Sequence, residues 1–270
     1  MLRKKQSIQS NAEWLEALEK STSLYTRYDI AQLEAATISD IREVAASYRN
    51  ICHGWIAGKD SLVLSNVLAR SGIVTTPIMW RGINEYPAMK DWVESNKPSN
   101  LIEEIIDKYS LDFLEKHPEY LFCKGNTRQK WMATKWERQR KDISKHGFDL
   151  FITGRRLKDG NQCGTAADKY IAKKNGYDVY SPLAEWNNEQ LLAYIRYNKI
   201  VLPPFYGYER GFLIGSIAMG EWTERATLGK PESEVWEELY RIDKNIVLKA
   251  AQSLTSARLY LQSKEKKHED

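Results

Sequence analysis

The sequence contains little cysteine and no long hydrophobic run. Its 270 residues include three cysteines, Cys52, Cys123 and Cys163, which are widely spaced and odd in number. This pattern fits neither a disulfide framework nor a Cys-x-x-Cys metal or redox motif, so we interpret all three as buried free thiols. No stretch approaches the roughly 18 to 20 apolar residues that a membrane-spanning helix needs. We therefore expect neither a disulfide-rich secreted protein nor a membrane protein.

Histidine is also scarce, and His53, His117 and His146 have no spacing typical of metal ligands, so we predict no metal site from them. The N-terminus begins with basic residues, but polar residues follow where a signal peptide would be apolar. Hydrophobic residues make up 42% and charged residues 28% of the chain, as in soluble globular proteins. We expect a cytoplasmic protein, whose net charge of +4 permits an anionic ligand without demanding nucleic acid.

Strand-like and helical segments alternate along the chain. Residues 11 to 50 have helical spacing, and strands are expected near residues 51–56, 74–80, 148–153 and 177–183. We predict helix through residues 99–146, with breaks near 117 and 125, and one long terminal helix from residue 231. This order predicts an α/β fold, a doubly wound and mostly parallel sheet with helical additions at both ends.

A short polar loop follows the first predicted strand, with the sequence Ala57-Gly58-Lys59-Asp60-Ser61. The glycine lets the backbone approach a ligand, the following helix offers free N–H groups, and the lysine and serine add a charge and a hydroxyl. A Walker A loop is excluded because Asp60 stands where serine or threonine must follow the lysine. The loop predicts a phosphate or pyrophosphate site. The alternative is a polar turn in which Asp60 or Ser61 caps the helix.

Two further segments carry unusual residues. Arg155 and Arg156 follow the third predicted strand, and their forked guanidinium groups suit phosphate or sulfate. Residues 124–145 contain eight basic and two acidic residues, and Arg128, Trp131, Lys135 and Arg138 share one helical face, with Trp136 nearby. This face could track a nucleic-acid backbone, or it could belong to a solvated helix with its tryptophans in the core. We favour the solvated helix.

Four segments follow one another in the order that one known family shows. They are residues 56–61, residues 81–86 before Pro87, residues 152–156 with Gly154-Arg155-Arg156, and residues 181–195 followed by 203–208. Together they resemble the phosphoadenosine phosphosulfate (PAPS) reductase family, within the adenine nucleotide α-hydrolase-like superfamily that also holds ATP pyrophosphatases. The first looks like the Ser-Gly-Gly-Lys-Asp-Ser pyrophosphate loop, and the third is similar to the family's Gly-x-Arg motif. The resemblance covers roughly residues 45 to 226.

The resemblance implies that an adenine nucleotide, ATP or PAPS, lies across the carboxyl edge of the sheet. The binding residues it implies are Ala57, Gly58, Lys59, Asp60, Ser61, Gly154, Arg155, Arg156, Thr223 and Arg225. Lys59, Asp60 and Arg156 are the catalytic candidates, with Asp60 serving a Mg²⁺ ion or capping the helix. The domains follow as an N-terminal helical segment (1–44), the nucleotide-binding domain (45–226), and a C-terminal helix with a charged tail (227–270).

The chemistry departs from that of the reductases. They use a cysteine in a C-terminal Glu-Cys-Gly-Leu-His motif, whereas no cysteine follows Cys163 here, and reduction needs a thiolate that attacks sulfur. We therefore predict an enzyme that acts at the phosphate chain of the nucleotide, by adenylyl transfer or α–β cleavage. One alternative is a thiol-dependent sulfonucleotide reductase that uses Cys163 or an external thiol. Another is a non-catalytic nucleotide-binding subunit of a nucleic-acid modification or defence complex, with residues 124–145 on the nucleic acid.

Overall fold

The computed structural model describes residues 10–82, 87–106, 110–123, 125–174, 176–215 and 232–269. The chain divides into two compact units. The first comprises Met1–Trp80, Val93–Glu104 and Gln139–Ser216, and the second Arg81–Trp92, Ile105–Arg138 and Ile217–Asp270. The domain boundaries after residues 44 and 226 stay predictions.

The α-helices are α1 (Asn11–Leu24), α2 (Arg27–Ala45), α3 (Lys59–Ser71), α4 (Pro87–Asn96), α5 (Leu111–Lys116), α6 (Gly125–Lys145), α7 (Asn188–Tyr197), α8 (Gly211–Ile214), α9 (Glu232–Ile242), α10 (Lys244–Ser253) and α11 (Thr255–Glu269). The strands are β1 (Ile51–Gly54), β2 (Thr76–Gly82), β3 (Ile102–Ile106), β4 (Leu150–Ile152), β5 (Ile171–Lys173) and β6 (Asp178–Tyr180).

The six strands form one sheet in the order β3-β2-β1-β4-β6-β5. Strand β1 pairs in parallel with β2 and β4, and β4 pairs in parallel with β6, while β5 is antiparallel to β6. All four residues of β1 are buried, as expected for a central strand covered by helices on both faces. The prediction of a mostly parallel α/β sheet is confirmed. Its parallel order brings the loops after β1 and β4 to one edge.

The first two helices are defined by their N-terminal caps. Ser10 with Glu13, and Thr26 with Asp29, form capping boxes, in which each side chain bonds the other residue's backbone N–H. Helix α1 packs against α7, and α2 packs against α3 and α7, with Trp14 fully buried in this layer. The prediction of helix within residues 11–50 is confirmed.

Two helical predictions are wrong in part. Residues 102–106, placed within a helical stretch, form the edge strand β3, and their sequence Ile-Glu-Glu-Ile-Ile is rich in the β-branched residues that pack well on a sheet. The single terminal helix is three helices, α9 to α11. Asp243 ends the first and caps the second through the backbone N–H of Asn245, and Leu254 adopts an extended conformation before the third.

The second unit holds α9 to α11, whose buried face includes Trp236. This ring meets Phe122 edge to face, with centroids 5.0 Å apart. Glu237 accepts hydrogen bonds from Tyr260 and Lys264 and so ties α9 to α11. Across the residues described above, no helix is both long and apolar enough to cross a membrane.

Candidate functional site

The loop between β1 and α3 has a backbone shaped for a close turn. Ala57 takes a left-handed conformation with φ of 53°, which is unusual for a residue with a side chain, and Gly58 is the N-cap of α3. Ser61 closes the loop, because its hydroxyl donates to the Gly58 carbonyl oxygen at 2.9 Å and accepts from the Ile56 N–H at 3.2 Å. The strand, loop and helix expected from the sequence are all present.

Helix α3 begins without a side-chain cap, since Gly58 supplies none. Helices α1, α2, α5 and α7 are each capped by a serine, threonine or asparagine side chain. The interpretation of the loop as a turn capped by Asp60 or Ser61 is therefore wrong. The first N–H of this helix, that of Lys59, therefore takes its acceptor from outside the loop, and helix N-termini without a local cap are the ones that anion sites use.

In this structure a tyrosine hydroxyl takes that place. The backbone N–H of Lys59 donates to the Tyr206 hydroxyl oxygen at 2.7 Å. Tyr206 is buried, and burial together with the charge of Asp60 raises its pKa well above the ordinary value, so the phenol stays neutral. The helix end therefore contacts a neutral, buried oxygen.

Four side chains of alternating charge line up beside the loop. Lys59 Nζ lies 2.7 Å from one carboxylate oxygen of Asp60, and Arg156 Nε lies 2.7 Å from the other. The Arg156 guanidinium also bonds Asp159 at 3.0 Å and the Trp186 carbonyl oxygen at 3.2 Å. Burial opposes the charge on Arg156, but Asp60 and Asp159 outweigh burial and raise its pKa. All three donor groups of this guanidinium are therefore committed within the protein.

Gly154 lets the loop after β4 touch the start of α3. A Cβ atom at this position would lie 2.8 Å from the Asp60 carbonyl oxygen and 3.2 Å from the Ser61 nitrogen, both of them backbone atoms. Since backbone atoms cannot move aside as a side chain can, only glycine fits here without shifting α3. The glycine of the Gly-x-Arg motif thus sets the distance between the two loops.

We expect Gly154→Ala to destabilise the protein by about 1–3 kcal/mol, the usual cost of overpacking a tight contact. The measurement is urea unfolding followed by circular dichroism. Gly207→Ala is the matched control, because a Cβ atom at Gly207 would meet nothing within 4 Å. Equal losses of stability in the two variants would show that the contact between the loops is not tight.

Helix α1 covers the loop from the other side. The Asn11 side chain donates to the Tyr206 carbonyl oxygen at 2.9 Å and accepts from the Phe212 N–H at 2.8 Å, fixing the segment that carries Tyr206. Trp14 stacks on Phe212 with centroids 5.3 Å apart, and its ring lies 5.7 Å from Lys59 Nζ. The buried Trp14 indole N–H finds no acceptor among the described residues. This layer leaves Lys59 only 2% exposed.

The structure brings together most of the residues predicted from the sequence. Positions 57–61, Gly154 and Arg156 form one cluster, whereas Arg155 lines a separate cavity. Thr223 and Arg225 lie outside the described residues. The binding and catalytic roles assigned to all these residues stay predictions.

Sequence reasoning missed three contributors to the cluster. Tyr206 lies in the Pro-rich run that carries the resemblance, but its contact with Lys59 joins residues 147 positions apart. Trp14 was assigned to an N-terminal appendage, and no sequence signal connects it to the loop. Asp159 stands three residues after Arg156 and forms an ion pair with it. An acidic residue at this short spacing from the arginine is the sequence signal that could have identified Asp159 as its partner.

A Mg²⁺ ion does not fit this cluster. Each carboxylate oxygen of Asp60 already contacts a cationic side chain. In the part of the chain that the structure describes, no three His, Cys, Asp or Glu side chains are grouped as metal ligands. The structure therefore favours Asp60 as the residue that positions Lys59 and Arg156.

The basic segment 124–145 forms helix α6 from Gly125 onward, as predicted. Arg128, Lys135 and Arg138 all have interactions within the protein, and Trp136 is 52% exposed. The side chain of Trp131 lies outside the described residues. These observations give no support to a nucleic-acid interface.

The comparisons with known proteins agree with the fold. A profile of the phosphoadenosine phosphosulfate reductase domain matches residues 55–217. The chain belongs to this family. The match begins directly after β1 and includes the loop between β1 and α3, the Gly-x-Arg motif and the segment with Tyr206.

Two curated relatives and one solved structure extend the comparison. The chain is 26% identical over 262 residues to sulfate adenylyltransferase subunit 2 of Aeromonas salmonicida (strain A449), covering 84% of this chain and 82% of the relative. It is 27% identical over 247 residues to the protein of the same name in Aeromonas hydrophila subsp. hydrophila, covering 78% of each. The PAPS reductase of Candida auris, in a phosphate complex, superposes with a TM-score of 0.50 at 19% identity, covering 68% of this chain and 93% of that one. This structural likeness supports the fold alone.

Proposed function

We propose that this protein binds an adenine nucleotide at the loop between β1 and α3 and transfers its adenylyl group. The observation that carries the proposal is the N-terminus of α3, which has no side-chain cap, with the Lys59 N–H on the Tyr206 hydroxyl oxygen and the Lys59 ammonium beside it. A helix N-terminus and a lysine together stabilise the negative charge of a pyrophosphate.

Several neighbouring groups complete such a site. A phosphate oxygen would replace the Tyr206 hydroxyl as acceptor for the Lys59 N–H. The Trp14 indole N–H, which has no acceptor among the described residues, supplies a second donor in the same layer. Asp60, held between two cations, keeps the Lys59 ammonium beside the loop. The Lys59 N–H and the Trp14 N–H are thus the donors that the proposal assigns to the anion, with the Lys59 ammonium as the cation beside them.

The proposed reaction needs no nucleophile from the protein. An acceptor oxyanion attacks the α-phosphorus, the bond from that phosphorus to the oxygen bridging to the β-phosphate breaks, and pyrophosphate leaves with the electron pair. The N–H groups of α3 and the Lys59 ammonium stabilise charge that develops on the departing pyrophosphate. Holding acceptor and nucleotide together contributes the remainder of the rate enhancement.

The relatives support transfer over reduction. Both Aeromonas proteins are named as subunits of an adenylyltransferase, so we also propose that this chain works with a partner subunit. Reduction of a sulfonucleotide by Cys163 is disfavoured, because this thiol is only 2% exposed and burial raises its pKa. A protonated thiol is a poor nucleophile.

The test is calorimetric titration of the wild-type protein and Lys59→Met with ATP, PAPS and adenosine bisphosphate. Methionine keeps the length of the buried side chain and leaves Arg156 on Asp60, so we expect the variant to stay folded. Loss of the ammonium should weaken ATP binding by about 1.5–3 kcal/mol, roughly 10- to 150-fold. Lys20→Met, on the exposed face of α1, is the control and should bind ATP as the wild type does.

Each outcome has a defined meaning. Equal ATP affinity of Lys59→Met and Lys20→Met would show that the loop is not part of the nucleotide site. Wild-type preference for PAPS over ATP, with sulfite released in the presence of thiol, would replace adenylyl transfer by reduction. Binding of ATP with release of pyrophosphate once an acceptor is added would establish the transfer.

A further inference from the structure

A cavity with a volume of about 490 Å³ begins at Arg155, next to the glycine that touches the loop at residues 57–61, the proposed phosphate loop. Its walls are the loop after β4 and one face of the paired strands β5 and β6. Ala172 and Val179 are paired across these strands, and Lys174 and Ser181 follow each of them by two positions, on the same face. Gly164 closes one end, because a Cβ atom there would lie 3.1 Å from backbone atoms of Tyr170 and Ile171.

The charge of this cavity is one-sided. Arg155 and Lys174 line it, and none of its described lining residues is acidic, although the Thr165 hydroxyl bonds the carboxylate of Asp168 behind the wall. Over the described ranges, neither cation forms an ion pair with an acidic side chain. Arg155 thus differs from its neighbour Arg156, whose guanidinium is committed to two carboxylates and a carbonyl oxygen. Two uncompensated cations at one concave surface favour an anionic ligand.

The remaining polar groups of the wall also suit an anion. The lining includes Asn161 and Gln162, whose side-chain amides can donate to an anion. It also includes Thr165, whose hydroxyl donates to Asp168, and the buried Ser181 and Cys163, which bond each other. Burial raises the pKa of Cys163, so the thiol adds no negative charge near neutral pH. The wall therefore offers the two amides as hydrogen-bond donors beside the two cations.

The size of the cavity selects among anions. Ligand sites commonly have volumes of about 300–1,000 Å³. One water takes about 30 Å³ of liquid, so this cavity equals roughly 16 waters, several times the space that an inorganic oxyanion fills. Leu157 and Val179 supply apolar surface for the rest of a larger molecule.

We propose that this cavity binds a small organic anion, a carboxylate or a sulfonate, with the anionic group between Arg155 and Lys174 and its apolar part against Leu157 and Val179. Arg155 directly follows Gly154, which touches the phosphate loop, so the bound anion is a neighbour of the nucleotide. Its role as the acceptor of the adenylyl group rests on the proposed function, whereas its binding does not.

The test is thermal unfolding in sodium benzoate, sodium methanesulfonate and sodium sulfate, each compared with sodium chloride at equal ionic strength. At ten times its dissociation constant, benzoate should raise the melting temperature of the wild type by about 2–4 °C. Arg155→Gln and Lys174→Gln should each lose most of this shift. Lys158→Gln, in the same loop but outside the cavity lining, should keep it.

The outcomes separate this site from the phosphate loop. Loss of the benzoate shift in the two cavity variants, with the shift retained in Lys59→Met, supports the proposal. No shift beyond that in chloride would overturn it. A shift that only sulfate produces and that Lys59→Met abolishes would also overturn it, because the ion would then occupy the phosphate loop. If ATP fails to bind the wild type while benzoate binds the cavity, the proposed nucleotide function fails and this site stands.

Discussion

Replacing Arg156 with methionine is expected to lower the free energy of unfolding by about 3–5 kcal/mol, the range measured when one partner of a buried ion pair is removed. Arg156 is fully buried, and its guanidinium neutralises both Asp60 and Asp159. Methionine fills much of the volume but leaves Asp159, whose side chain is 8% exposed, without its cation. Chemical denaturation at neutral pH measures the loss.

The adjacent arginine provides the matched control. Arg155→Met removes the same group one position earlier, where the side chain lines a cavity and forms no ion pair with a described residue. We expect this variant to lose less than about 1 kcal/mol, as is usual away from buried networks. Similar losses of stability in both variants would contradict the view that Arg156 stabilises the fold while Arg155 only lines the cavity. An unchanged stability of Arg156→Met would contradict it as well.

The stability of the protein should fall by up to about 3 kcal/mol between pH 7 and pH 4 because of His53 alone. His53 lies in β1, 5% exposed, between the Ser65 and Thr75 hydroxyls at 2.9 Å each. Burial lowers its pKa from 6.5 to about 4. Below pH 6.5 the His53 ring binds a proton in the unfolded chain but not in the native state. Acid therefore favours unfolding. The contribution is complete above pH 6.5 and is lost as the pH approaches 4.

Urea unfolding at several pH values compares the wild type with His53→Gln, whose amide can still bond hydroxyl groups but does not titrate. The difference in stability between the two proteins should shrink, or change sign, as the pH falls. His117→Gln changes a half-exposed histidine and should keep the pH dependence of the wild type. Parallel curves for the wild type and His53→Gln would show that burial does not lower the pKa of this ring in the native state.

The sequence was informative wherever the chemistry is local. The loop at residues 57–61 could be recognised because a strand, a glycine, a lysine and a helix start follow one another within a few residues. The contacts that complete the cluster come from residues distant along the chain, as with Asp60 and Arg156 at a separation of 96. Such pairs depend on the order of the strands, which periodicity does not define.

The tandem arginines show a regularity that could have been used. Arg156 has extended backbone angles, φ of −129° and ψ of 145°. In extended chain, successive side chains point to opposite sides, so neighbouring arginines cannot both face one ligand. The strand β3 shows the opposite limit. Five residues within a stretch of helical periodicity form an edge strand. A segment this short shows no clear periodicity of its own, so only its content of β-branched residues could have indicated a strand.

The first two helices change how the border of this domain should be drawn. The family match begins at residue 55, yet Trp186 donates to Thr37, Tyr194 bonds Glu34, and Asn11 holds the segment of Tyr206. Residues that the family profile leaves out therefore complete the hydrogen bonding of residues inside it. The family profile and the packing of the chain therefore have different limits. A fragment cut at residue 55 would expose the surface that these helices bury and would lose the wall beside Lys59, so the profile covers less than the physical unit.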